Sequence, residues 1–132
     1  MKELKLTKKE VLEIKRVLQE IMSYASAGIF YRSGEVLGKM MAENIKRENY
    51  FEEVRKKLKE KSWVEEIEFK EEMVIAKGSI EVHPSKIASC DILRGIIRGI
   101  YENYYKTIIK VEETECESLG DEFCVFNIRR VR

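Results

Sequence analysis

Cys90, Cys116 and Cys124 place three thiols in the last third of a 132-residue chain, with carboxylates and a single imidazole near them in sequence. Three thiolates plus one carboxylate or imidazole make the four-ligand set that zinc takes. The spacing brings the thiols together. Asp91 to Tyr105 reads as an amphipathic helix, and a strand follows from about Thr107. The helix advances about 22 Å at ~1.5 Å per residue, and about eight or nine strand residues at ~3.3 Å each return roughly the same distance. Cys116 therefore comes back beside Cys90. Between Cys116 and Cys124 the segment turns at Gly120-Asp121, so these two residues oppose each other across a hairpin with their thiols on one face. Cys90 gains further from its position, because the first turn of a helix favours a thiolate.

Two plainer roles compete. Free cysteines are often just small buried hydrophobes, and a Cys116 to Cys124 cross-strand disulfide has acceptable geometry but leaves Cys90 unexplained. The fourth ligand is open at this stage. Counting back from Cys116 by strand alternation reaches Thr114 and Glu112, so Glu113 joins the thiols only through a bulge. His83, beside Pro84 in a turn, is the rival.

The elements that must position these groups follow from periodicity. Thr7 and Glu10 form a capping-box pattern ahead of a helix carrying Val11, Ile14, Val17, Leu18, Ile21, Met22 and Ala25. At Gly28 the chain bends or continues, and Val36, Leu37, Met40, Met41 and Ile45 predict a second helix over Gly34 to Ile45. A third spans about Phe51 to Lys61, with Phe51, Val54 and Leu58 inward. Val64 to Glu71 and Met73 to Val82 predict two strands turning near Glu72. In the long helix after Pro84, Ile92, Leu93, Ile96, Ile97, Ile100, Tyr101 and Tyr104 form an apolar stripe that must cover a sheet, while Arg94, Arg98 and Glu102 form a polar row. Two more strands run from Thr107 to Cys116 and from Glu122 to Arg130. The class is α+β, helices on one antiparallel sheet of four to five strands, in a single domain over residues 1–132.

Lys and Arg number 25 against 24 Asp and Glu, a net charge of +1, so no global field favours nucleic acid or an anionic membrane. No apolar run approaches the roughly 18 residues of a membrane span, and the first residues lack a signal-peptide core. A cytoplasmic location is expected, and there clustered cysteines bind metal more often than they pair.

The run Cys90-x4-Gly95-x3-Gly99, followed by Glu113-x2-Cys116-x3-Gly120-Asp121-x2-Cys124-x-Phe126, resembles the C-terminal signature of the 4-vinyl reductase domain, also called a predicted hydrocarbon-binding domain. Upstream, Tyr31-x2-Gly34-x3-Gly38 resembles that family's first helix element, and Ser62-Trp63 sits where the family often has a Gly-aromatic-Gly turn. The relatives include sensory domains of phenol- and xylene-responsive regulators and TRAPP vesicle-tethering subunits. The resemblance implies a small-molecule pocket between helices and sheet, dimerisation through helices, and a structural zinc held by Cys90, Glu113, Cys116 and Cys124. It thus selects Glu113 over His83. The sensors hold a phenol hydroxyl with polar groups that include a histidine. With His83 as the only histidine here, a more apolar ligand is expected.

Phe30, Tyr31, Met40, Met41, Phe69, Tyr101 and Tyr104 are the candidate pocket lining, against the competing role of core or dimer interface. Gly34/Gly38 and Gly95/Gly99 are read as close-packing surfaces, since Gly38-Lys39 lacks the spacing of a phosphate-binding loop. Four protein ligands leave zinc no open position for water. No nucleophile-base pair and no dinucleotide fingerprint is recognisable. The expectation is a homodimeric, non-enzymatic binding or sensory module for a small apolar or aromatic molecule, with neither nucleic acid nor membrane as partner. The alternatives are an accessory subunit of a vinyl-tetrapyrrole reductase and a dimerisation or assembly module related to TRAPP subunits.

Overall fold

Four helices cover one face of a four-stranded antiparallel sheet in a computed structural model that describes residues 2–131. Helix α1 (Lys8–Met22) begins at the expected capping box, where the Glu10 N–H donates to Thr7 Oγ1 and the Thr7 N–H donates to Glu10 Oε1. It ends at Ser23, whose φ of 49° breaks the helix. Ile14, Val17, Ile21 and Met22 stay exposed on it, and Lys15 is its buried residue. Helix α2 (Ala25–Ala42) starts well before the expected Gly34, because the chain continues through Gly28. A glycine costs a helix interior only about 1 kcal/mol. Packing along the whole length of α2 outweighs that.

The packing partner is α4 (Asp91–Tyr105), whose bounds are those read from the apolar stripe. Where the two cross, Gly34 and Gly38 face Gly95 and Gly99. A Cβ at Gly34 would lie 2.1 Å from the Ile92 carbonyl oxygen, and one at Gly99 2.3 Å from that of Glu35. Backbones in such contact leave no room for a ligand between α2 and α4. Helix α3 (Tyr50–Glu60) buries Tyr50, Val54 and Leu58, and leaves Phe51 half-buried.

Strands β1 (Glu66–Phe69) and β2 (Met73–Lys77) form the expected hairpin, closed by the Lys70 N–H donating to the Met73 carbonyl. Strands β3 (Ile108–Glu115) and β4 (Cys124–Val131) form the second, so four strands complete the sheet. The spatial order is β1-β2-β4-β3, antiparallel at every pairing. Helix α4 thus carries the chain across the sheet from β2 to the far-edge strand β3. Its Leu93, Ile96, Ile97 and Ile100 share one core with Val74, Val111, Phe126 and Ile128 of the sheet. No helix among the described residues is long and apolar enough to cross a membrane.

Candidate metal centre

Three elements deliver the cluster. Cys90 is the N-cap of α4, Cys116 follows β3, and Cys124 opens β4. Glu115 pairs with Val125, which sets Cys116 opposite Cys124 as the hairpin requires. A short 3₁₀ turn, Glu117–Leu119, makes the reversal and ends at Gly120 with φ 96°, a conformation that favours glycine. Asp121 secures it by accepting the Cys116 N–H at 2.9 Å.

Glu113 arrives by the bulge that alternation demanded. It pairs with Phe126, and the next pair is Glu115 with Val125, so Thr114 is the extra residue. Alternation along Ile109, Val111 and Glu113 keeps the carboxylate inward, and the bulge resets the phase so that Cys116 is inward as well. One ligand atom from each of Cys90, Glu113, Cys116 and Cys124 lies within 4.8 Å of the others. His83 stands outside the cluster, its Nδ1 3.0 Å from the Glu81 carbonyl and its N–H donating to Ser118 Oγ.

The protonation of the cluster without metal shows what it lacks. The three cysteines are free thiols, with Cys90 and Cys124 sulfurs 3.7 Å apart. Glu113 Oε1 accepts the Cys90 N–H at 3.1 Å, while its buried Oε2 has no partner. Burial, and then the negative neighbour Cys116, push the Glu113 carboxyl up to about 8. Hydrogen bonds from Cys124 and Cys90 hold the Cys116 thiol far below its ordinary value. Donation to Cys116 pushes Cys90 and Cys124 up. Four anionic ligands crowd a buried space that stabilises only some of them, and a cation would stabilise all four. The orphaned Oε2 and the sulfur-rich donor set fit a thiophilic metal such as zinc. Supporting contacts surround the sulfurs as outer partners of a metal site do: the Glu117 N–H donates to Cys124 at 3.4 Å, and Ser79 Oγ lies 3.4 Å from Cys90.

A second polar knot adjoins the first. Lys15 Nζ lies 2.5 Å from Glu81 Oε2 and donates to the Ser89 carbonyl at 2.6 Å, next to Cys90. Glu81 also accepts the Leu93 and Ile92 N–H groups at 2.8 and 3.0 Å, capping α4 from a distance. Both side chains are buried, at 3% and 0% exposure. Burial pushes the Glu81 carboxyl up against the pull of Lys15 and the two N–H groups. The sequence carried a sign of this: Lys15 interrupts the Val11, Leu12, Leu18 face of α1 at helical spacing.

The seven candidate pocket residues separate. Phe69, Tyr101 and Tyr104 come together with Tyr50 and Phe51 beside the C-terminal half of α4. Tyr31 lies under the Arg94 and Arg98 guanidinium groups, at 3.8 and 5.3 Å, and its hydroxyl accepts the Val111 N–H. Arg98 also pairs with Glu102, as the polar row suggests. Phe30 is buried with the Lys15 ammonium 5.1 Å from its ring centre. Met41 is half-buried at the edge of the core. Met40 is exposed on an open groove of about 620 Å³ between α2, the end of α4 and the start of β3.

The family model of the 4-vinyl reductase domain matches residues 80–130, a span that holds Glu81 and all four residues of the cluster. The chain carries a 4-vinyl reductase domain. The fold of that family extends beyond the matched span. The structure is similar to the phenol-responsive sensory domain of the transcription activator PoxR, solved with phenol, at a TM-score of 0.82 and 14% identity, covering 98% of this chain and 77% of that one. It is similar to a vinyl-4-reductase family protein from Methanocaldococcus jannaschii at a TM-score of 0.72 and 22% identity, covering 99% and 85%. A trafficking protein particle complex subunit 3 from Naegleria fowleri, covalently bound to palmitic acid, matches at a TM-score of 0.64 and 13% identity, covering 95% of each chain. A search of curated proteins found no match. At these identities the structural likenesses speak for the fold.

Proposed function

We propose that this 4-vinyl reductase domain is a small-molecule binding or sensory module for an apolar or aromatic ligand, with a structural zinc ion tying the start of α4 to the β3–β4 hairpin. The observation that carries the reading is the closed ligand set. Four protein ligands within 4.8 Å satisfy tetrahedral zinc without a water position, so the metal holds structure and recognition takes place elsewhere. Cys90, Glu113, Cys116 and Cys124 would hold the ion, which when bound supplies the positive charge that the buried Glu113 Oε2 and the thiolates lack. The phenol of one fold relative and the palmitic acid of another support an apolar or aromatic ligand. We place the protein in the cytoplasm, where the thiols stay reduced.

A homodimer accompanies this reading. Ile14, Val17 and Ile21 of α1 and Ile29, Val36, Leu37 and Met40 of α2 are exposed along two neighbouring helices. An apolar surface of this kind is normally covered by a partner, and ligand occupancy would be read through its packing. The ligand reading is tested by thermal denaturation of zinc-loaded protein, stripped of co-purified molecules, against a library of apolar and aromatic compounds. A concentration-dependent rise in Tm for a subset is expected. No shift with any compound would overturn it. Size-exclusion chromatography with light scattering tests the dimer, and a monomer at micromolar concentration contradicts it.

A further inference from the structure

Phe51, the second residue of α3, is surrounded by four other aromatic rings. Centroid distances are 5.0 Å to Tyr50, 5.5 Å to Phe69, 5.2 Å to Tyr101 and 4.8 Å to Tyr104. The interplanar angles run from 36° to 85°, tilted and edge-on arrangements in which ring quadrupoles attract. Phe69 comes from β1 and Tyr101 and Tyr104 from α4, so elements distant in sequence build a cage around one phenyl group.

We propose that this cage is a binding site for a single-ring aromatic molecule and that Phe51 is its resident occupant, displaced when the ligand enters. The inference rests on the ligand-binding reading above and assigns its place. Three observations support it. Phe51 is only half-buried, whereas Tyr50, Val54 and Leu58 anchor α3, so its ring can leave without undocking the helix. Outside it, between α3 and β1, lies an open groove of about 380 Å³ with Phe51 and Phe69 in its walls. An apolar cavity of about 150 Å³ already accepts benzene. The groove therefore gives the displaced ring a place to lie and the ligand a way in. Finally, the cage is already satisfied where it is polar. The Tyr101 hydroxyl donates to the Lys70 carbonyl and the Tyr50 hydroxyl to the Ile100 carbonyl, each at 2.5 Å. Those bonds fix two of the walls and ask for no polar group on the ligand. The class is thus a single-ring aromatic hydrocarbon, for which Phe51 is an intramolecular stand-in.

Self-occupancy lowers the apparent affinity by the fraction of time the ring is out. Toluene is the probe, followed by NMR of ring-labelled phenylalanine and tyrosine in zinc-loaded protein. Saturating toluene is expected to shift the Phe51, Tyr101 and Tyr104 ring signals of the wild type. F51A should bind one toluene per chain, about tenfold tighter or more. F51L, which keeps a smaller occupant, should gain less and serves if F51A does not fold. L58A, which opens space elsewhere on α3, should keep the wild-type affinity. Unmoved Phe51 signals at saturation, no gain in a folded Phe51 variant, or an equal gain in L58A would each overturn the proposal. If other apolar compounds raise Tm while toluene leaves Phe51 unmoved, the cage assignment falls and the ligand-binding reading stands. If nothing binds, both fall.

Discussion

The two ends of α4 are built on opposite principles. At its N-terminus the helix is held by buried polar and ionisable groups: the Cys90 cluster, the Glu81 cap and the Lys15 ion pair. At its C-terminal half Tyr101, Tyr104 and Tyr105 pack in an aromatic cluster with Tyr50, Phe51 and Phe69. Polar buried networks are satisfied or costly, with little between. Aromatic packing is graded and tolerates rearrangement. An end that locks and an end that yields suit a helix that must stay anchored while it responds to a ligand. Between them the Gly34/Gly38 and Gly95/Gly99 crossing fixes α4 to α2 backbone to backbone.

The comparison can be broken by unequal damage to the two ends. The largest effect is expected from the metal. Stripping zinc with a chelator, or C116S, should cost about 4 kcal/mol or more, the stabilisation given by a ligand present at a thousand times its Kd. Urea unfolding reads this, and a loss under about 1 kcal/mol would remove the metal from the account. Next is the ion pair. K15A or E81A each leaves a buried charge alone and should cost about 3 to 5 kcal/mol, whereas the double replacement K15M/E81L should recover most of it. Equal losses in single and double variants would mean that the pair is not an isolated unit. At the aromatic end F69A should cost about 3 kcal/mol, and Y101F, which loses the bond to the Lys70 carbonyl, about 1 kcal/mol. A larger loss from Y101F than from K15A would invert the contrast.

The pH response sharpens it further. In chelated protein Glu113 has a folded value of about 8, raised by burial and then by Cys116 from an ordinary 4.5. Its contribution is present below 4.5 and is lost as pH rises through 8. At the other end burial would raise Glu102, but the Ile109 N–H, Glu35, Arg98 and Lys39 outweigh it and hold the carboxyl at about 2. Its contribution is present above the ordinary value and is lost as pH falls through about 2. Metal-free protein should therefore unfold at lower urea at pH 8.5 than at pH 5, and E113Q should flatten that difference. A metal-free midpoint that rises from pH 5 to pH 8.5 would contradict the Glu113 environment.

How far the sequence spoke depended on how local the signal was. The stripe from Ile92 to Tyr104 is so regular that the bounds of α4 follow from it, and the out-and-back path to Cys116 follows from those bounds. Strand alternation identified the bulge at Thr114 as the condition for Glu113, although not its phase, which the inward Ile109 and Val111 set from the other end. The start of α2 was not legible, because a glycine such as Gly28 permits a bend that only the α4 contact forbids. Lys15 and Glu81 were missed for a related reason. Each looks like one more surface charge in a chain rich in them, and only the tertiary meeting of α1 with the start of α4 makes them a pair. The aromatic residues were visible as types, but that Phe51 lies at their centre depends on three elements coming together.

The central claim, that a four-ligand metal knot anchors α4, is tested most directly by elemental analysis with thiol titration. Protein purified under reducing conditions without added metal is measured before and after chelation. One zinc per chain is predicted, with the thiols unreactive until the metal is removed and three reactive afterwards. Three reactive thiols with no bound metal, or one thiol and a disulfide, would contradict it.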